Sequence, residues 1–280
     1  MAYKNLLVQL DGTRACSDRI AAALDLATRF DAHLVGLYVS PELNVPSFIE
    51  AHLSEELRSA QIGRRRERAD EIIGRFEDAA RRAGRTVESR QAAAFLDDIP
   101  EVLAFHGRYA DLLILGQHDP EDEEALPPSL VQETLLSVGR PCLLVPYIGV
   151  PENFGRQVLL AWDSGREAAR ATIDALPLLR RAEKVRILAV NPERGLDGHG
   201  DTPGADVALA LARHGVIAEA QQTVSEELEV ADVLLSRAAD YGSDLIVLGA
   251  YAHSRLRDLV LGGVTRSLLR QMTVPLLMSH

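Results

Sequence analysis

The chain has 280 residues, a formal charge of −11, 47% hydrophobic and 25% charged residues, the composition of a folded protein long enough for two domains. Its acidity disfavours nucleic acid and anionic membranes as partners, and no apolar run approaches spanning length. Cys16 and Cys142 are too far apart to suggest a metal motif and read as small buried hydrophobes in a reducing cytoplasm, an expectation that the absence of a secretory pattern after Met1 strengthens.

Residues 4–11 (KNLLVQLD) read as an apolar strand ending at Asp11, and Ile20, Leu24 and Ala27 then share one helix face. A second strand follows at residues 36–41. The stretch between Glu42 and Arg85 is helical in pattern, with Arg64, Arg65, Arg66 and Arg68 spaced among carboxylates as on a solvated helix face. Residues 110–116 (ADLLILG) form the next strand, and a strand led by Pro141 closes this half. Residues 146–153, with Gly149 and Pro151, read as a linker.

The same landmarks then recur in the same order. Residues 156–163 (RQVLLAWD) match 4–11 at an offset of 163 − 11 = 152, and Val190 stands where Val39 stood, at an offset of 151. Residues 243–249 (SDLIVLG) match 110–116 at 249 − 116 = 133, and Pro275 answers Pro141. The sequence is one unit written twice, with an insertion in the first copy between Glu42 and Arg85. Expected domains are 1–147 and 154–280. Thr172, Leu176 and Leu179 share one helix face, as their counterparts do in the first copy.

Short apolar strands separated by helices predict a parallel sheet covered on both faces in each half, a doubly wound five-stranded layer of order 3-2-1-4-5. In that order the chain reverses between strands 1 and 4, and ligands bind beyond their carboxyl ends. Asp163 ends strand 1 and Gly249 ends strand 4, so the two should meet across one crevice. Backbone amides after Gly249, and at a helix start after Gly262 and Gly263, suit an anion.

A strand-ending Asp, with Gly249, Ala252, Gly262, Gly263, Val264 and Thr265 ahead of a helix and the Pro275 strand, resembles the glycine signature of the universal stress protein superfamily. The resemblance covers both halves, so the chain looks like a tandem member. It implies a flavodoxin-like, adenine nucleotide alpha hydrolase-like fold. It further implies a cytoplasmic stress-response protein that binds ATP or a related adenine nucleotide, with or without Mg, and pairs domains through the fifth strands. Asp163 and Val190 fall on positions the family uses near ribose and adenine, and a homodimer is compatible with this pattern. Ala252 replaces the family's second Gly, and Gly263 replaces a Ser or Thr; Thr265 is a candidate to restore the lost hydroxyl.

The first half departs further. After Gly116, residues 117–128 (QHDPEDEEALPP) lack the later glycines, carry five carboxylates that repel phosphate, and end in prolines that have no N–H. This half is expected to be degenerate and to bind no nucleotide. In the second half Ser164, His253 and Arg255 complete the candidate ligand set, each against a simpler role: Asp163 or Ser164 as helix cap, and His253, Arg255 and Arg257 as solvated surface. Trp162 is core or a crevice wall. His199 between Asp197 and Asp201 reads as a turn more than as a metal site. No catalytic residue is expected, since neither a Walker-type lysine nor a nucleophile elbow occurs. The competing expectation is a nucleotide-free interaction module acting through domain pairing.

Overall fold

Runs of Leu, Ile and Val too short for a helix and apolar on both faces form the central strands. The computed structural model describes residues 2–42, 54–192, 202–251 and 263–280. Two compact units result, Lys4–Val138 and a second comprising Gly139–His280 with the residues preceding Lys4.

The first unit contains β1 (Asn5–Leu10), α1 (Cys16–Phe30), β2 (His33–Glu42), α2 (Glu55–Arg82), β3 (Glu88–Phe95), α3 (Ile99–Gly107), β4 (Leu112–Gly116) and α4 (Pro128–Val138). Its strands are parallel in the order β3-β2-β1-β4, with Val8 of β1 level with Gly36 of β2 and Ile114 of β4. All five residues of β4 are buried, the state of a strand covered on both faces. The expected insertion is occupied by α2, 28 residues long, where the second copy has the nine residues of α7.

The second unit contains β5 (Cys142–Val145), β6 (Gln157–Ala161), α5 (Arg166–Asp174), α6 (Leu176–Leu179), β7 (Lys184–Val190), α7 (Ala205–Arg213), β8 (Ala218–Thr223), α8 (Val230–Asp240), β9 (Leu245–Gly249), α9 (Gly263–Gln271) and β10 (Leu276–Ser279). Parallel strands run β10-β9-β6-β7-β8, and β5 lies antiparallel along β10 with Leu143 level with Leu277. The helix face expected from Thr172 to Leu179 is divided between α5 and α6. Pro177 in the first turn of α6 lacks the N–H that a continuous helix would use.

Both units anchor their first strand in one way at its starting end. Asp111 accepts hydrogen bonds from the amides of Lys4 and Asn5 at 2.7 and 2.9 Å. Asp244 accepts from Gly155, Arg156 and Gln157 at 2.9 to 3.1 Å. A carboxylate that satisfies several strand-end amides fixes where the strand enters the sheet. Among the described residues no helix is long and apolar enough to cross a membrane.

Candidate functional site

At the carboxyl ends of β6 and β9 the second unit contains a cavity of about 250 Å³. Asp163, Val190, Gly249, Gly263, Val264 and Thr265 line it, so six residues singled out from four separate segments come together. Ser164 lies beside it, exposed and left-handed (φ 61°), but is not part of the lining. Ala252, His253, Arg255 and Gly262 lie outside the described residues, as do Arg257 and the 197–201 loop. Among the described residues no cluster of three metal-binding side chains occurs.

The walls explain themselves locally. Gly249 must be Gly, because a Cβ there would come within 2.5 Å of the Ala168 amide nitrogen at the start of α5. Asp163 is exposed, and its Oδ1 accepts the Gly165 amide at 2.8 Å. That bond tightens the turn, and the residue at the cap of α5 is Gly165, which has no side chain to offer the helix. Leu188, Leu234 and Leu248 supply an apolar floor, and Trp162 stands at the rim of the strand tip.

Tyr251 was not foreseen as a wall. It is buried, left-handed (φ 60°) and lines the cavity. For a non-glycine residue that conformation costs about 1 kcal/mol or more. Its amide donates to Thr265 Oγ1 at 3.2 Å, so the hydroxyl expected to face a ligand is tied to this turn as an acceptor. The Tyr251 hydroxyl is buried without a partner among the described residues, and burial raises its pKa to about 12. Its ring packs edge-on against His280, whose Nδ1 lies 3.1 Å from the Ala250 carbonyl. The sequence signal for Tyr251 was only its place two residues after the strand-ending Gly.

At the start of α9, Gly263, Val264 and Thr265 belong to the first turn, where amides have no partner within the helix. Among the described residues none of the three donates to a backbone carbonyl elsewhere, and no acidic side chain occupies that turn. This end therefore favours an anion.

The equivalent crevice of the first unit is a cavity of about 480 Å³ and is built differently. Asp11, the counterpart of Asp163, pairs with Arg19 at 2.6 Å, and both side chains are largely buried. Burial alone would disfavour the Arg19 charge, but Asp11 together with Cys16 outweighs it and raises the guanidinium pKa. Asp11 also accepts the Thr13 amide at 3.0 Å and its hydroxyl, while Arg19 Nε donates to Gln9 O at 2.8 Å. Gly116 leaves room for this guanidinium, which would lie 1.9 Å from a Cβ. The helix start that carries glycine in the second unit is Pro127 and Pro128 here.

The family model described as Universal stress protein family matches residues 2–146 and 155–280. A universal stress protein of Synechocystis sp. is 24% identical over 305 residues, covering 98% of this chain and 99% of its own length. The crystal structure of a universal stress protein from Archaeoglobus fulgidus superposes with a TM-score of 0.73 at 17% identity, covering 98% of this chain and 97% of that one. A putative universal stress protein from Pseudomonas aeruginosa gives a TM-score of 0.58 at 16% identity, with coverage of 99% and 93%.

Proposed function

The chain belongs to the universal stress protein family as a tandem member, and from that premise we propose that its C-terminal half binds ATP or a related adenine nucleotide. The observation that carries this reading is the convergence of Asp163, Val190, Gly249 and the Gly263–Thr265 helix start on one cavity. In this reading the base lies on the Leu188, Leu234 and Leu248 floor beside Val190 and Trp162. Asp163 faces the ribose hydroxyls. The phosphates lie at the Gly263–Thr265 helix start, and Ala252, His253, Arg255 and Gly262 belong to the ligand set proposed from the sequence. A cavity of about 250 Å³ falls below the usual ligand-site range of roughly 300–1,000 Å³, the size of a nucleoside whose charged tail stays at the mouth.

The residues fit such a guest. An apolar floor suits a base, the first-turn amides suit phosphate oxygens, and the Tyr251 hydroxyl, without a partner among the described residues, supplies a donor that a ligand oxygen or nitrogen can satisfy. Mg, where present, is carried by the phosphates.

The proposed role is regulatory, with no catalytic residue assigned. Nucleotide shifts the protein toward whichever conformation binds it more tightly. The domains 1–147 and 154–280 act as a degenerate and a binding partner, respectively, joined through the strands at Cys142–Val145 and Leu276–Ser279. The proposed setting is cytoplasmic, with nucleic acid and anionic membrane disfavoured as partners by the charge of −11 and a homodimer compatible with it. The second reading, a nucleotide-free interaction module, draws on Ala252, whose methyl stands where the family's signature has its second Gly.

Mass spectrometry of small molecules released from freshly purified, denatured protein separates the two readings: an adenine nucleotide at near one per chain supports binding. Trp162 is the single Trp and lines the cavity, so its fluorescence reports directly. A saturable change on ATP titration is expected; a flat titration with no co-purifying nucleotide leaves the interaction module.

A further inference from the structure

The larger cavity lies in the half that the nucleotide reading leaves without a ligand. Tyr38, Ile72, Leu96, Ile99, Leu103 and Leu126 supply its walls, and Ile72, Ile99 and Leu103 are fully buried. At about 480 Å³ it falls inside the roughly 300–1,000 Å³ range of small-molecule sites. The one carboxylate at its base, Asp11, is neutralised by Arg19.

Residues 119–124 form a strap carrying five carboxylates, of which Glu123 and Glu124 line the cavity. Two arginines from opposite sides hold it. Asp122 accepts the Arg14 amide at 2.8 Å, and Asp119 pairs with the Arg14 guanidinium at 3.2 Å. On the other side Glu124 pairs with Arg68 of α2, which also binds Glu71 at 2.7 Å. The Arg68–Glu124 pair lies directly over Gly12, next to the strand tip. His118 Nδ1, 3.0 Å from the Leu126 carbonyl, ties the strap's far end to the cavity wall.

The strap's own carboxylates thus occupy the cationic and amide positions that an anionic ligand would need. Both arginines are committed, and the remaining Glu121 and Glu123 add negative potential at the entrance. The interior offers apolar surface with its floor charge cancelled. We propose that the N-terminal cavity is a binding site for an uncharged, predominantly apolar small molecule, screened against anions by the acidic strap.

Two probes with one skeleton test this on the full chain: neutral N-phenyl-1-naphthylamine and its sulfonated analogue, 8-anilinonaphthalene-1-sulfonate. The neutral probe is expected to bind saturably at one site, and the sulfonate about tenfold or more weakly, equivalent to about 1.4 kcal/mol. ATP should not displace the neutral probe. Leu96→Trp, at a rim position 42% exposed, should abolish its binding with circular dichroism unchanged. Glu124→Gln, which removes one of the two carboxylates that neutralise Arg68, should narrow the gap between probes. Absence of saturable binding, equal affinity for both probes, displacement by ATP, or indifference to Leu96→Trp would overturn the proposal. None of these readouts depends on whether the C-terminal half holds a nucleotide.

Discussion

The two crevices share a strand-tip aspartate and treat it in opposite ways. Asp11 is locked into a buried pair with Arg19, whereas Asp163 is exposed and engaged by the Gly165 amide. The helix after the strand that ends at Gly116 opens with proline, and the one after the strand that ends at Gly249 opens with glycine at the cavity. At the opposite ends of the sheets, Asp111 and Asp244 accept the matching strand-entrance amides, Asp244 with one more from Gly155. Duplication has therefore kept what holds the first strand in place and altered the carboxyl ends, where ligands meet a doubly wound sheet.

Removing the cation should break this comparison most severely. Arg19→Met leaves Asp11 buried without its partner and should destabilise the protein by about 3–5 kcal/mol, read as a lower urea midpoint. The Asp11→Asn, Arg19→Met double variant should recover most of that loss. If the single variant is nearly neutral, the pair is not what distinguishes this half. Gly249→Ala pushes a methyl into the start of α5 and should cost about 1–3 kcal/mol, with loss of ATP response in Trp162 fluorescence.

The starting ends of the strands should behave alike. Asp111→Ala and Asp244→Ala each strand amides at a strand entrance and should cost about 1–2 kcal/mol apiece, with neither altering selectivity between the naphthylamine probes. Markedly unequal costs would show that the units do not share this anchor.

The smallest expected effect is acid release of the strap. The Arg14 amide, Asp122's strongest hydrogen-bond donor, holds that carboxyl below its ordinary pKa. Such a group contributes stability above its unfolded pKa and loses it as pH falls through the still lower folded value. Protection of the Arg14 amide from hydrogen exchange, corrected for intrinsic rates, should stay constant from neutrality to about pH 4 and fall below it. A loss beginning near pH 6 would implicate a different group.

Much of this contrast could be read from residue order. The central strands announced themselves as apolar runs, and the Asp, Gly and Pro landmarks fixed the duplication. The edge strands β3 (ESRQAAAF) and β8 (AEAQQT) did not, because half-exposed edges need no apolar run. The glycine signature led to the helix start, while the acidic, proline-ended 117–128 sequence set the first half apart. Arg19 escaped notice since an arginine on a helix ordinarily faces solvent, and its burial depends on Asp11 and on the space beside Gly116. The Tyr251–Thr265 bond was equally hidden, as it requires a left-handed tyrosine that no spacing rule specifies.

Calorimetric titration of ATP into the full chain, repeated with Asp163→Ala and Asp11→Asn, tests the central claim most directly. One site per chain, lost in Asp163→Ala and retained in Asp11→Asn, is the predicted result. Two equivalent sites, or binding indifferent to Asp163, would contradict it.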